Sequence, residues 1–381
     1  MISMKKNLFL LLSVSVLSAC SVMQSLNPFA PNVKMEKSPV VHNQKEVKTV
    51  WSVQVGSGGK NVFHPAFLKE RLFAANQKGQ VVAFQNGNKL WENHLNTTLS
   101  AGVGFDEELI FVGSQKGQVW ALNADDGKIL WQAQLSSEVV QKPVSTPVGV
   151  VVKTADERLF LLNRQNGKRL WFYQHPMQTL QVRDSAHAVF AGGFIFAGFS
   201  SGKLIALSPD NGAPVWQGQV AIPKGSNELD RLSQVSTPLS IEEILCAAAY
   251  QGQVACFNMM KGGTLFWQRK IGSVNALSFD LHHLYVSDDK GVLHALNRQT
   301  ATTVWQNTQL KTRNPSSITE GAGILALGDS EGFVYFLNPE NGQFLAKIKT
   351  DGSAIQAPIL FDNGQFIIQT TDGLILSVEV L

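Results

Sequence analysis

An all-β fold, an eight-bladed β-propeller whose ring is closed by an N-terminal strand in the last blade, is what this sequence predicts. Three observations predict it. Tryptophans at 51, 91, 131, 171, 216, 267 and 305 fall 38 to 51 residues apart, a glycine-led frame recurs eight times, and the last copy of that frame stops one strand short. Periods of about 40 residues mark repeat architectures, and four short strands per unit point to a propeller rather than a helical solenoid or a sandwich.

The frame reads Gly117-Gln-Val-Trp-Ala-Leu-Asn-Ala-Asp-Asp-Gly-Lys-Ile-Leu-Trp131 in one copy and Gly202-Lys-Leu-Ile-Ala-Leu-Ser-Pro-Asp-Asn-Gly-Ala-Pro-Val-Trp216 in another. Counterparts begin at Gly79, Gly252, Gly291, Gly332 and Gly373, with Glu157 in the glycine position of the third copy. Ala346 stands where an eighth repeated tryptophan would fall, and Trp120 is off register.

Within a copy, the first strand is short and apolar and is often opened by proline (Pro65, Pro143, Pro238). The second alternates, as in Leu109 to Val112; a glycine turn then leads to the third, Val119 to Leu122, and Asp-Asp-Gly or Asn-Gly to the fourth, Ile129 to Leu135. Glycine supplies the positive φ that tight hairpins need, and alternation with period two is that of half-buried strands. No segment carries a convincing amphipathic-helix pattern. The final copy, Gly373 to Leu381, lacks its tryptophan strand, and Thr49 to Val55 at the other end supplies one. Pairing the two termini completes the eighth sheet and removes an open edge. The repeated tryptophan is therefore first a structural residue: burying one removes about 150 to 250 Å² from water, and truncating it to alanine costs about 3 to 5 kcal/mol.

Charged residues make up 16% of the chain and hydrophobic ones 44%, which argues against disorder. The formal charge of +3 includes Lys5 and Lys6 of an export segment, so little positive charge remains and phosphate-neutralising nucleic-acid binding is disfavoured. That segment, residues 1–19, has a basic start, an apolar run from Leu8 to Leu12 continuing through Val14 and Val16, and Leu17-Ser18-Ala19 before Cys20. It is too short to span a bilayer, and no later stretch has eighteen uninterrupted apolar residues. Leu-Ser-Ala-Cys resembles the lipobox of bacterial lipoproteins, which implies cleavage before Cys20 and acylation of that cysteine; Ser21, not Asp, implies transfer to the outer membrane. Several acyl chains anchor stably where one is marginal. Residues 20–47, with Pro28, Pro31 and Pro39 among polar residues and no sustained period, read as a lipidated flexible tether ahead of a propeller over 48–381.

The repeat frame resembles that of the pyrroloquinoline-quinone-type propellers over residues 48–381, and no copy ends in the Trp-Asp of the WD40 type. The lipobox, short tether and eight blades without accessory domains resemble the BamB family, lipoproteins of the outer-membrane β-barrel assembly machinery. Glu228 to Pro238, Ile271 to Asn275 and Gly328 to Gly332 carry the resemblance further. It implies a non-enzymatic scaffold facing the periplasm, docked to the POTRA repeats of BamA and to other subunits, and aiding insertion of barrel precursors.

Spacing locates the working surface independently. The usual 26 residues from tryptophan to the next marker become 31 from Trp171 to Gly202 and 36 from Trp216 to Gly252. The extra residues fall in two adjacent inter-blade loops, and insertions confined to neighbouring loops of a repeat fold mark a binding face. The first loop offers Leu180, Val182 and Arg183, a small apolar patch with a charged anchor, and the resemblance implies that such a segment faces BamA. The second offers Asp230 and Arg231. Two family positions that are often acidic fall on the uncharged Gln234 and Ser236, which stay outside the candidate site.

Two other classes compete. A quinoprotein dehydrogenase would share the repeat but needs a calcium-bound quinone and a catalytic aspartate, and many members have adjacent cysteines, which this chain lacks. Cys246 and Cys256 lie on consecutive strands and suit either a disulfide or buried thiols. The eight histidines show no ligand spacing, and consecutive His282 and His283 would point to opposite faces of a strand. Asp125-Asp126-Gly127 fits a hairpin turn rather than a calcium loop, and no phosphate loop or nucleophile elbow is present. No cofactor, metal site or catalytic residue is expected. A glycan-binding propeller would rest on Trp120 and scattered Phe and Tyr, a thin platform.

Overall fold

The computed structural model describes residues 35–68, 70–177, 186–223 and 231–381. Among them are thirty-two strands, β1 to β32 in chain order, forming eight four-stranded antiparallel sheets. Blades 1 to 7 occupy residues 66–94, 99–134, 144–174, 189–219, 239–269, 278–307 and 319–349. Blade 8 joins β30 (Leu360–Asp362), β31 (Gln365–Gln369) and β32 (Leu374–Val380) to β1 (Val47–Gln54), in that order from inside to outside. The ring thus closes as expected, β1 pairing with β32 from Val47 opposite Val380 to Gln54 opposite Leu374. Among the described residues the one helical turn is a 3-10 turn, Met259–Lys261, in a hairpin of blade 5.

The two recurrent glycines serve different contacts. Those of the marker position, Gly252 excepted, take a positive φ between the second and third strands, 76° at Gly117 and 91° at Gly79. A Cβ at Gly79 would lie 2.0 Å from the carbonyl oxygen of Leu95, so the chain leaving the blade crosses directly over the bare α-carbon. The hairpin glycine faces the tryptophan of the preceding blade: a Cβ on Gly127 would sit 2.5 Å from the Trp91 ring, and on Gly167 2.5 Å from Trp131.

Six of the framed indoles then bond into the hairpin they face. Nε1 of Trp91 donates to the carbonyl of Ala124 at 3.0 Å, Trp131 to Arg164 at 2.7 Å and Trp305 to Pro339 at 2.6 Å. The glycine and tryptophan of the frame are two halves of one lock between successive blades. Its satisfied N–H is what lets so large a ring be buried or half-buried there.

The apolar core lies in the clefts between blades. Between blades 1 and 2 it includes Phe73, Val81, Ile110, Val112 and Trp120; between blades 6 and 7, Tyr285, Leu293, Leu325 and Tyr335. Trp120, the off-register tryptophan, is 5% exposed and offers no sugar platform. Ahead of each framed tryptophan the ladder slips by one residue, as where Ala121 faces Trp131 but Leu122 faces Ile129. The bulge turns residues such as Leu90, Leu130 and Leu170 out to the rim, so apolar pairs that read as core in the sequence are exposed.

Residues 35–46 correct part of the tether expectation, because they lie along blade 7. Glu36 N–H donates to Thr312 Oγ1 and Gln44 N–H to the Leu345 carbonyl, while Lys347 Nζ donates to the carbonyl of Pro39 at 2.6 Å. Beneath them Arg313, fully buried, donates to the Glu36 carbonyl and pairs with Asp329 at 2.7 Å and Glu331 at 2.6 Å. A polar, proline-containing stretch makes no structure of its own, but its backbone groups are satisfied by the blade it crosses.

Candidate protein-binding loops

The two long loops leave and rejoin the ring at shared points. The first follows the outer strand of blade 3 (Arg169–Gln174) and the second that of blade 4 (Pro214–Gln219). Both root on one turn, residues 199–202, between the second and third strands of blade 4. His175, opening the first loop, hydrogen-bonds through Nε2 to Ser201 Oγ at 2.8 Å. Ser201 also forms a parallel bridge with Ser233 of the second loop, and Val235 N–H donates to the Phe199 carbonyl. At their far ends they meet again, where His187 N–H donates to Thr237 Oγ1 at 3.0 Å.

The root is buried and charged. The His175 ring packs on Phe199 with centroids 4.4 Å apart, and Lys153 Nζ lies 4.7 Å from the centroid of the same Phe199 ring and donates to the Gly198 carbonyl. Burial, then the charges of Lys203 and Lys153, pull the His175 pKa down to about 4, so the ring is neutral at physiological pH. Glu157, the residue in the glycine slot, takes φ 57° and is buried, 3.9 Å from Lys153, with one carboxylate oxygen accepting no hydrogen bond. In the second copy a Cβ at the equivalent Gly117 would meet the carbonyl oxygen of Ser137 at 2.6 Å. The third copy has Met177 at that place in the chain, largely exposed and heading into the long loop, which leaves room for a side chain.

Burial raises the Glu157 pKa above 4.5, and Lys153 only partly offsets it. A carboxyl with a raised folded pKa binds more protons folded than unfolded, so it lowers stability as pH rises from the unfolded value through the folded one. Glu157→Gln is therefore expected to raise the unfolding midpoint at pH 7, with the gain over wild type shrinking toward zero near pH 4.5. Thermal unfolding of both proteins across that range checks it, and a pH-independent difference would contradict it.

Of the residues singled out from the sequence, Arg231 is exposed, and its carbonyl accepts Ser233 Oγ. Cys20, Leu180, Val182, Arg183 and Asp230 lie outside the described residues. Gln234 and Ser236 are buried, and Ser236 Oγ accepts the Ala248 N–H. The loop roots, His175, Ser201 and Glu157, escaped the sequence reading, although a glutamate in a glycine slot just ahead of the lengthened loop was a signal. Cys246 and Cys256 pair directly across two strands of blade 5 and form a disulfide. His282 is exposed and His283 buried, as alternation requires. At Asp125-Asp126-Gly127 both aspartate N–H groups bond to Asn123 Oδ1, a hairpin turn. Among the described residues no three His, Cys, Asp or Glu side chains gather as a metal site.

The class of protein is an eight-bladed propeller that carries two long neighbouring loops tied to one another at their described ends. The family profile described as outer membrane protein assembly factor BamB matches residues 77–307. The BamB of Bordetella pertussis (strain Tohama I) is 33% identical over 367 residues, 95% of this chain and 94% of that one. The crystal structure of BamB from Moraxella catarrhalis superposes with a TM-score of 0.83 at 26% identity, covering 88% of this chain and all of that one. The chain belongs to the BamB family of outer membrane protein assembly factors. These relatives are assembly factors rather than enzymes. A quinohemoprotein alcohol dehydrogenase from Pseudomonas putida HK5 matches with a TM-score of 0.67 over 88% of this chain and 76% of that one, but at 12% identity the likeness is one of fold.

Proposed function

We propose that the protein is a non-enzymatic scaffold of outer-membrane β-barrel assembly, held to the outer membrane by lipid on Cys20 and facing the periplasm. Its two long loops dock on the POTRA repeats of BamA and raise the local concentration of a surface that helps barrel precursors insert. The observation that carries this reading is the common rooting of both loops on residues 199–202, which makes one patch of two insertions. Leu180, Val182 and Arg183 supply the apolar contact and anchor, with Asp230 and Arg231 beside them. Residues 1–19 act as the export signal and the chain from Cys20 to the start of the docked segment as the leash. A Cys246–Cys256 disulfide suits an oxidising compartment.

Calorimetric titration of the chain into the POTRA repeats of BamA from the same organism tests the reading. Saturable binding is expected, weakened at least about tenfold by Arg183→Glu, while thermal unfolding of that variant shifts by no more than about 0.5 kcal/mol. Absence of binding at up to about 100 μM, against a correctly folded partner, would overturn it.

A further inference from the structure

A cavity of about 300 Å³ opens on the central channel between the inner strands of blades 2, 3 and 4, Leu99–Phe105, Val144–Ser145 and Val189–Ala191. Val103, Phe105, Pro143, Val144, Val189 and Phe190 give it apolar walls, beside polar surface that includes Ser145 and His187. Lys142 also lines it and, among the described residues, has neither a hydrogen-bond nor an ion-pair partner, and no acidic side chain lines the cavity. The nearest acid along the chain, Asp106 beside Phe105, is held by Arg164 at 2.7 Å.

A cation in low-dielectric surroundings without a counter-ion is costly, and proteins usually pair it. Burial lowers the Lys142 pKa to about 8, which leaves it mainly charged at neutral pH. His64 does not add charge that would need a second anion. His64 is buried, with its ring edge-on to His187 at 5.8 Å and Nε2 unpartnered, and burial together with Lys142 drives its pKa to about 3. His187 is tied to Thr237. Among the described residues the cavity therefore presents one uncompensated positive charge beside apolar walls, at the lower end of the size range of small-molecule sites.

We propose that this cavity binds a small organic carboxylate, its head group on Lys142 and its apolar body against Phe105, Val144 and Phe190. A charge-assisted bond fixes one end, and displacement of water from the aromatic and aliphatic walls supplies the rest. The proposal does not depend on the assembly role.

The full chain in non-ionic detergent is titrated calorimetrically with 3-phenylpropionate, with its uncharged analogue 3-phenylpropionamide, and with inorganic phosphate. One-to-one binding of phenylpropionate with a Kd below about 1 mM is expected. Phenylpropionamide and the Lys142→Met variant should each weaken it at least about tenfold, and Lys60→Met, at an exposed position, should leave it unchanged. The amide comparison uses the unaltered protein, so it holds even where Lys142→Met fails to fold. No saturation up to about 10 mM, equal binding of acid and amide, or full affinity in a folded Lys142→Met protein would overturn the proposal. Phosphate binding as tightly as phenylpropionate would overturn the role of the apolar walls.

Discussion

Deleting residues 47–55 is expected to lower stability by more than about 5 kcal/mol and to expose the edge of β32 to aggregation. The loss goes well beyond one strand of hydrogen bonds. Val55 is buried among Leu72, Ala74, Val82 and Phe84 of blade 1 and Ile367 and Ile375 of blade 8, so the segment fills the cleft that joins first blade to last. Trp51 packs over Gly87 as Trp91 packs over Gly127 and Trp131 over Gly167. Truncating one large core side chain costs about 3 to 5 kcal/mol, and this deletion removes Trp51, Val53 and Val55 together. Calorimetry on the deletion and on Trp51→Ala alone separates the lock from the strand. An unchanged midpoint for the deletion would contradict terminal closure.

Arg313→Met is expected to cost about 3 to 5 kcal/mol, because it strands a buried carboxylate. Asp329 is fully buried; besides Arg313 Nε it accepts from Tyr335 OH at 2.8 Å and from the N–H groups of Glu331 and Phe333. Burial opposes the guanidinium charge, but Glu331 and Asp329 outweigh it and hold the group more firmly protonated than usual. A double variant, Arg313→Met with Asp329→Asn, should recover a large part of the loss by removing the orphaned charge. Chemical denaturation measures both, and a single-variant loss below about 1 kcal/mol would show that the pair is not a strut. Hydrogen exchange at residues 36–46 should rise in Arg313→Met, since the Glu36 carbonyl loses its donor.

The blades were legible because their determinants are local. Positive φ at Gly117 or Gly127 favours glycine at each turn, and strand alternation repeats with the turns. Loop positions were legible by counting between Trp171 and Gly252. Apart from the pairing of the two termini, contacts between distant parts were not legible. The glycine–tryptophan lock joins residues of successive blades, such as Trp91 and Gly127, and a turn glycine carries no mark of the ring it faces. Arg313 lies outside the repeat frame, and its partners are set by how blade 7 meets residues 35–46. Those residues read as a tether because nothing in them pairs internally; their hydrogen-bond partners come from Thr312, Leu345 and Lys347. Likewise Glu157 was visible as an exception to glycine, but its meaning rests on Lys153 and on the chain beyond His175.

The docked segment also decides where mechanical load travels. A tug arriving from the N-terminal side of Met35 meets the bonds of Glu36, Pro39, Asn43 and Gln44 to blade 7 before it reaches Val47. These bonds stand in the chain ahead of the seam between β1 and β32. The segment thus works as a strain relief, as a clamp does on a cable ahead of its connector: tension is discharged into the wall of an already complete blade, and the closure that holds the ring together is left unstressed.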